Sequence, residues 1–200
     1  IFGIAAAMAY VHQKDIIHRD LKTENIMLDE NFYPKVADFG LSKVFEEGTQ
    51  HLIQQTTSIG TPTHMAPELI DNPHYDNKID VFAYSIILYE IMTYNKPWSD
   101  KKNLTQFNLI KYVQDGQRPT IHDREIPDEY VTLIERCWDH NPEKRPSFIR
   151  IVKGLLDNKD TYFDNPLIDR DELDLYMEDA IVGLDFSGVE AEIEAEGEAE

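Results

Sequence analysis

The stretch His18-Arg19-Asp20-Leu21-Lys22-Thr23-Glu24-Asn25 (HRDLKTEN) lies between two segments of opposite character, and Asp38-Phe39-Gly40 (DFG) follows with Asp38 18 positions after Asp20. Upstream, IFGIAAAMAYVHQ (1–13) is Ala-rich and apolar on nearly every face. That pattern predicts a helix buried on all sides rather than an amphipathic surface helix. Downstream, NIMLDENFYPKVADF (25–39) holds two short apolar runs around Asp-Glu-Asn-Phe, which reads as a small hairpin. The charged residues therefore occupy a loop between a buried helix and a hairpin, with DFG at the hairpin's far end. Such a loop gathers acceptor-only carboxylates, a point cation and an amide within a short span.

Working outward, residues 40–77 lose all periodicity and are rich in Thr, Ser, Gln, His, Gly and Pro. Connections of that length are usually functional. DVFAYSIILYEIMT (80–93) is again apolar all round, and its length suits a central core helix rather than a strand. Three amphipathic helices are predicted after it. One spans 105–115, with Phe107, Ile110 and Val113 on one face and Gly116 as a stop signal. A second spans 128–138 with Val131, Ile134 and Trp138. The third, 147–158, opens on Ser147 after Pro146 and carries Phe148, Ile151 and Leu155. No repeat of 20 to 50 residues is visible. Beyond Asn158 the pattern decays, and the chain closes on GVEAEIEAEGEAE, so residues 159–200 are expected to be an acidic, largely disordered tail.

Net charge is the compositional outlier, with 38 Asp and Glu against 19 Lys and Arg. It is unevenly spread: residues 159–200 hold 15 acids and 2 bases, residues 1–158 hold 23 acids and 17 bases. That sign repels phosphate backbones and anionic lipid heads, which argues against nucleic-acid binding and membrane docking. A lone cysteine, Cys137, cannot close an internal disulfide, so a reducing, cytoplasmic setting is the default expectation. The longest apolar stretch, about 11 residues, falls short of the roughly 18 needed to cross a bilayer. The chain opens on Ile1 rather than Met, and it reads as a piece of something longer.

HRDLKTEN and DFG at this separation resemble the catalytic loop and metal-binding motif of eukaryotic protein kinases. At roughly 1 in 20 per specified position, six matches arise by chance at about 10⁻⁸ per starting point. The resemblance continues through GTPTHMAPE (60–68), similar to the end of a kinase activation segment. It also takes in Asp80 on the apolar helix and Cys137-Trp138 followed by NPEKRPSF (141–148). It covers residues 1 to about 158 and looks most like the tyrosine-kinase-like group. The implied fold is the α+β protein-kinase-like fold, C-terminal lobe only, mainly helical with one small hairpin and with the N-terminal lobe absent.

By this resemblance the cofactors are ATP and Mg²⁺ and the partners are protein substrates together with the missing upper lobe. Asp20 would orient the substrate hydroxyl, Lys22 would stabilise the transferring phosphoryl group, and Asn25 and Asp38 would hold magnesium, whose hard oxygen preference suits them. Met27 would lie under the adenine, and His18 and Phe39 would form the lower half of a stacked spine. Asp80 would anchor the catalytic-loop backbone, and Glu68 and Arg145 would pair in a buried salt bridge. Lys22, together with Thr61 in the substrate platform, favours serine/threonine over tyrosine kinases. Arg19 would be neutralised by a phosphate on the activation segment, with Thr56, Thr57 and Ser58 as acceptor candidates.

Cys137 and Trp138 read as core. Two departures stand out: His64 occupies a position usually held by Trp or Tyr, and Ser85 one usually held by Gly. The 200 residues contain no Gly-rich phosphate loop and no Val-Ala-Ile-Lys strand. That gap keeps open a second reading, a truncated or degenerate kinase serving as a binding module.

Overall fold

The computed structural model describes residues 1–44, 61–71, 75–121 and 126–189. Helix α1 (Phe2–His12) is buried along most of its length, at Phe2 through Ala6, Met8 and Ala9, as its unbroken apolar character requires. Helix α3 (Lys78–Thr93) is the second such helix, with Ile79 through Tyr89 all buried. It ends where Tyr94 adopts a left-handed conformation (φ 54°) and returns its N–H to the Glu90 carbonyl. Even the polar Ser85 in its middle is satisfied, its hydroxyl donating to the Phe82 carbonyl at 2.5 Å.

The amphipathic helices close around these two. Helix α4 (Gln106–Gln114) starts at Thr105, whose hydroxyl accepts the Asn108 N–H, and stops before Gly116 at φ 78°. It buries Leu109 and Val113, whereas Phe107, expected on the same face, is 76% exposed. Helix α5 (Asp128–Cys137) packs Leu133, Ile134 and Cys137 onto α3, and helix α6 (Phe148–Asp157) packs on α1. The Phe148 ring meets the edges of both His12 at 5.0 Å and Tyr84 at 5.3 Å, joining α6 to α1 and α3. Helix α2 (Pro67–Asp71) is a short element beside α4.

Strand content is small. Strands β1 (Ile16–Ile17), β2 (Ile26–Leu28), β3 (Pro34–Val36) and β4 (Lys43–Val44) form two antiparallel pairs, β2 with β3 and β1 with β4. The first pair is the expected hairpin, in register Ile26↔Val36, Met27↔Lys35 and Leu28↔Pro34. Its turn is built by Asp29, whose carboxylate accepts the N–H groups of Asn31 and Tyr33 at 2.9 Å each. The Tyr33 N–H foremost holds that carboxyl below the usual carboxylate range. The second pair is an addition to the single hairpin expected.

Residues 159–189 differ from the disordered tail anticipated, and the remainder of that expectation, 190–200, lies outside the described residues. Helix α7 (Lys159–Tyr162) and helix α8 (Arg170–Ala180) continue the fold as far as Val189, which is buried, and α8 lies against α1. Leu173, Tyr176, Met177, Ala180 and Ile181 repeat at helical spacing and pack on the core. High acid content hid that stripe. Asp169 caps α8 by accepting the Asp171 and Glu172 N–H groups, so some of those acids stabilise the helix start.

Candidate active site

The HRDLKTEN loop (18–25) is held from below by Asp80, on the first turn of α3. Its carboxylate is almost wholly buried and accepts three donors: the His18 N–H at 2.8 Å, the Arg19 N–H at 2.9 Å and His12 Nε2 at 2.9 Å. A buried carboxylate so surrounded is compensated rather than stranded. The two backbone bonds fix Arg19 at φ 70°, a left-handed conformation uncommon for a long side chain. That kink turns the following residue, Asp20, into the site. His12 was not singled out from the sequence, although a polar residue in the last turn of an otherwise apolar helix is a readable signal.

Three expected residues converge on Asp20. Lys22 Nζ donates to Asp20 Oδ2 at 2.6 Å, Asn25 Nδ2 donates to the Asp20 carbonyl at 2.8 Å and to Oδ2 at 3.3 Å, and the Thr61 hydroxyl donates to Oδ1 at 3.3 Å. The Asp20 side chain keeps 11% exposure and Lys22 21%, so the cluster opens to solvent. Asp38 is brought to the same side by the backbone bond from the Ala37 N–H to the Asn25 carbonyl, 2.8 Å. Asp38 itself is exposed, sits at φ 61° and accepts the Gly40 N–H. Asn25 spends its amide nitrogen on Asp20, which leaves its carbonyl oxygen as the ligand-type atom.

One amide oxygen and one carboxylate fit Mg²⁺, which usually takes one or two protein groups and completes its shell with water and phosphate oxygens. Among the described residues no cluster of three or more His, Cys, Asp and Glu is gathered to hold a metal alone. That donor set suits an ion arriving with a nucleotide.

The supporting residues take up defined places. His18 Nε2 bonds the Ala37 carbonyl at 3.0 Å, and the His18 ring lies 4.8 Å from that of Phe39. Met27 is 58% exposed on β2, and Phe39 is partly open as well. Arg145 is fully buried and grips Glu68 with both terminal nitrogens, at 2.6 and 2.8 Å, while also donating to the carbonyls of Asp139, Lys78 and His140. Arg19 donates to the Leu41 carbonyl at 2.5 Å and to the Tyr75 hydroxyl at 3.1 Å. Both partners are neutral oxygens. Thr56, Thr57 and Ser58 lie outside the described residues. Burial pushes the Cys137 thiol up to about 12, which fits an inert core residue.

A network not foreseen from the sequence joins Thr23 and the Pro62–His64 turn to α3. The Thr23 hydroxyl donates to Glu90 Oε2 at 2.7 Å, Lys96 Nζ lies 3.2 Å from Glu90 Oε1, and buried His64 places Nε2 3.6 Å from Glu90. The His64 imidazole also meets the Thr63 hydroxyl through Nδ1 at 3.0 Å.

The model of the protein kinase domain matches residues 1–155. The chain belongs to the protein kinase family. Among its relatives are RGS domain-containing serine/threonine-protein kinase A of Dictyostelium discoideum, 39% identical over 153 residues, and serine/threonine-protein kinase STY17 of Arabidopsis thaliana, 40% identical over 152. Each alignment covers 76% of this kinase chain but only 13% and 25% of the relative. Dual specificity protein kinase shkB of Dictyostelium discoideum is 42% identical over 151 residues, 73% of this chain and 22% of its own. The kinase chain thus spans a quarter or less of the length of these relatives. Among the described residues no helix is long and apolar enough to cross a membrane.

Proposed function

We propose that this chain is the C-terminal lobe of a serine/threonine protein kinase that moves the γ-phosphoryl group of ATP to a protein hydroxyl. The observation that carries the reading is the convergence of Lys22, Asn25 and Thr61 on the Asp20 carboxylate. Bound Mg·ATP supplies the phosphoryl donor and much of the charge neutralisation. Phosphoryl transfer otherwise asks the protein for alignment and electrostatic stabilisation rather than covalent chemistry. Asp20 orients the attacking hydroxyl, Lys22 sets a positive charge beside the transferring group, and Asn25 and Asp38 carry the metal oxygens. Thr61, already bonded to Asp20, marks where a substrate hydroxyl approaches. Thr61 and Lys22 together favour serine or threonine acceptors, and the likeness to a dual specificity kinase keeps tyrosine within the test.

Regulation belongs to the same reading. Arg19 meets neutral oxygens only, so among the described residues no carboxylate balances its charge. A phosphate on Thr56, Thr57 or Ser58 would supply about −1.5 to −2 of charge beside the catalytic loop.

The test uses a protein in which this chain is joined to an upper lobe. Asp20→Asn should lower kcat by at least about a thousandfold while nucleotide binding persists, and Asp38→Ala should lose Mg-dependent nucleotide binding as well. Near wild-type turnover by Asp20→Asn would overturn the role given to Asp20, and absence of turnover in the joined protein before any substitution would favour the binding-module reading.

A further inference from the structure

Residues 170–189 lie beyond the family match, yet they are seated in a groove between α1 and the β2–β3 hairpin. The Tyr176 ring stacks on Tyr33 of the hairpin with centroids 4.3 Å apart and planes at 18°, and meets the edge of Phe2 on α1 at 6.4 Å. The Tyr33 hydroxyl reaches Glu172 at 3.4 Å. Met177 and Val189 are buried. Farther along, the Gln13 side chain pairs twice with the backbone of Asp185, donating to its carbonyl at 2.6 Å and accepting its N–H at 3.1 Å.

The groove is prepared for this occupant. Gly3 is the second residue of α1, and its backbone is not in the left-handed region that would call for glycine. A Cβ at Gly3 would overlap the Tyr176 hydroxyl and come within 2.8 Å of Pro34 Cγ. The absent side chain makes room for Tyr176 and for the first residue of β3. Glycine at this position is therefore explained by the seat rather than by any backbone requirement of the helix.

From this geometry we infer that residues 170–189 are an intramolecular ligand of the α1–hairpin groove, and that Tyr176 is a positioning residue for the nucleotide-facing side of the lobe. The link runs through the hairpin. Its turn, at Tyr33, is clamped by Tyr176; its strands carry Met27; and its two ends lead into Asn25 and Asp38, which the Ala37–Asn25 backbone bond holds together. Clamping the turn fixes how those two residues present their oxygens. The effect on nucleotide rests on the kinase reading, whereas the clamp itself does not.

Hydrogen exchange on the purified 200-residue chain tests the clamp. Gly3→Ala should raise exchange about tenfold or more in residues 170–189 and in 26–36 together, leaving α3 and α5 unchanged. Because alanine favours the helix, loss of the seat is separable from loss of α1. Tyr176→Phe should be near neutral, and Gly3→Ala/Tyr176→Phe should recover part of the protection by removing the overlapping hydroxyl. If Gly3→Ala does not fold, Tyr176→Ser carries the same comparison. Unchanged exchange in 170–189 would overturn the seat, and release of 170–189 without any change in 26–36 would overturn the positioning role. In a protein joined to an upper lobe, Tyr176→Ser should raise KM for ATP several-fold with kcat within about twofold. An unchanged KM beside altered hairpin exchange would remove the nucleotide consequence and leave the clamp standing.

Discussion

At the scale of single residues, Arg145 shows how a charge can be kept inside a core. It has no solvent exposure, and Glu68, with 12% side-chain exposure, meets it through two short bonds. Isolated buried ion pairs can often be replaced by apolar residues without loss, since the desolvation penalty offsets the attraction. This pair differs because the same guanidinium serves the Asp139, Lys78 and His140 carbonyls. Glu68→Ala should therefore cost about 3–5 kcal/mol by leaving a buried cation unpaired. The double variant Glu68→Leu/Arg145→Met should recover only part of that loss, because those carbonyls lose a donor. Urea unfolding midpoints of the three proteins check this, and full recovery in the double variant would show the carbonyl contacts to be dispensable. Both partners were legible in the sequence only through family resemblance. Nothing in the local pattern around Glu68 or Arg145 points across the 77 positions between them. His12, which completes the Asp80 site, could have been found from α1 alone.

Among the elements, the short turn Pro62–His64 and helix α3 are joined by a titratable contact. Burial works against ionised Glu90, but the neighbouring His64 imidazole, the Thr23 hydroxyl and Lys96 outweigh it and bring its carboxyl down to about 2. The folded value is thus depressed below the ordinary 4.5. The contribution of Glu90 to stability is then fully present above pH ~4.5 and is lost as pH falls toward about 2. Glu90→Gln should flatten the dependence of the thermal midpoint on pH between about 5 and 2, while the wild type falls across that window. Equal slopes for the two proteins would show that Glu90 is not held by these neighbours. The sequence marked His64 as a departure from its group without disclosing its partner, because Glu90 lies on a helix that periodicity assigns wholly to the core. The same weakness explains the tail. Averaging charge over residues 159–200 conceals a stripe of five apolar positions on α8 and its C-cap residue Ile181, and a window of one helix, rather than of the whole segment, would have found it.

For the molecule as a whole, the two all-apolar helices fix the lower core, and the side facing away from it is unusually open. The hairpin and the turn after it expose Met27, Leu28, Phe32, Phe39 and Leu41, at 58, 59, 78, 42 and 37% respectively. Met27 and Phe39 stand close to Asn25 and Asp38 in the chain, so part of the exposed apolar surface adjoins the candidate metal oxygens. Patches of that kind drive association. In the kinase template the nucleotide phosphates are covered by a Gly-rich loop and contacted by a strand lysine, and neither motif occurs in the 200 residues. Purified alone, the 200-residue chain should therefore show no measurable phosphorylation of a generic protein substrate with Mg·ATP. It should also self-associate as concentration rises, and Leu28→Ser/Leu41→Ser should weaken that association. Sedimentation velocity over a concentration series and a radiolabel transfer assay measure the two properties on one preparation. Robust phosphorylation would mean that the lower lobe alone can align phosphoryl donor and hydroxyl, and a concentration-independent monomer would mean that the open side carries no adhesive surface.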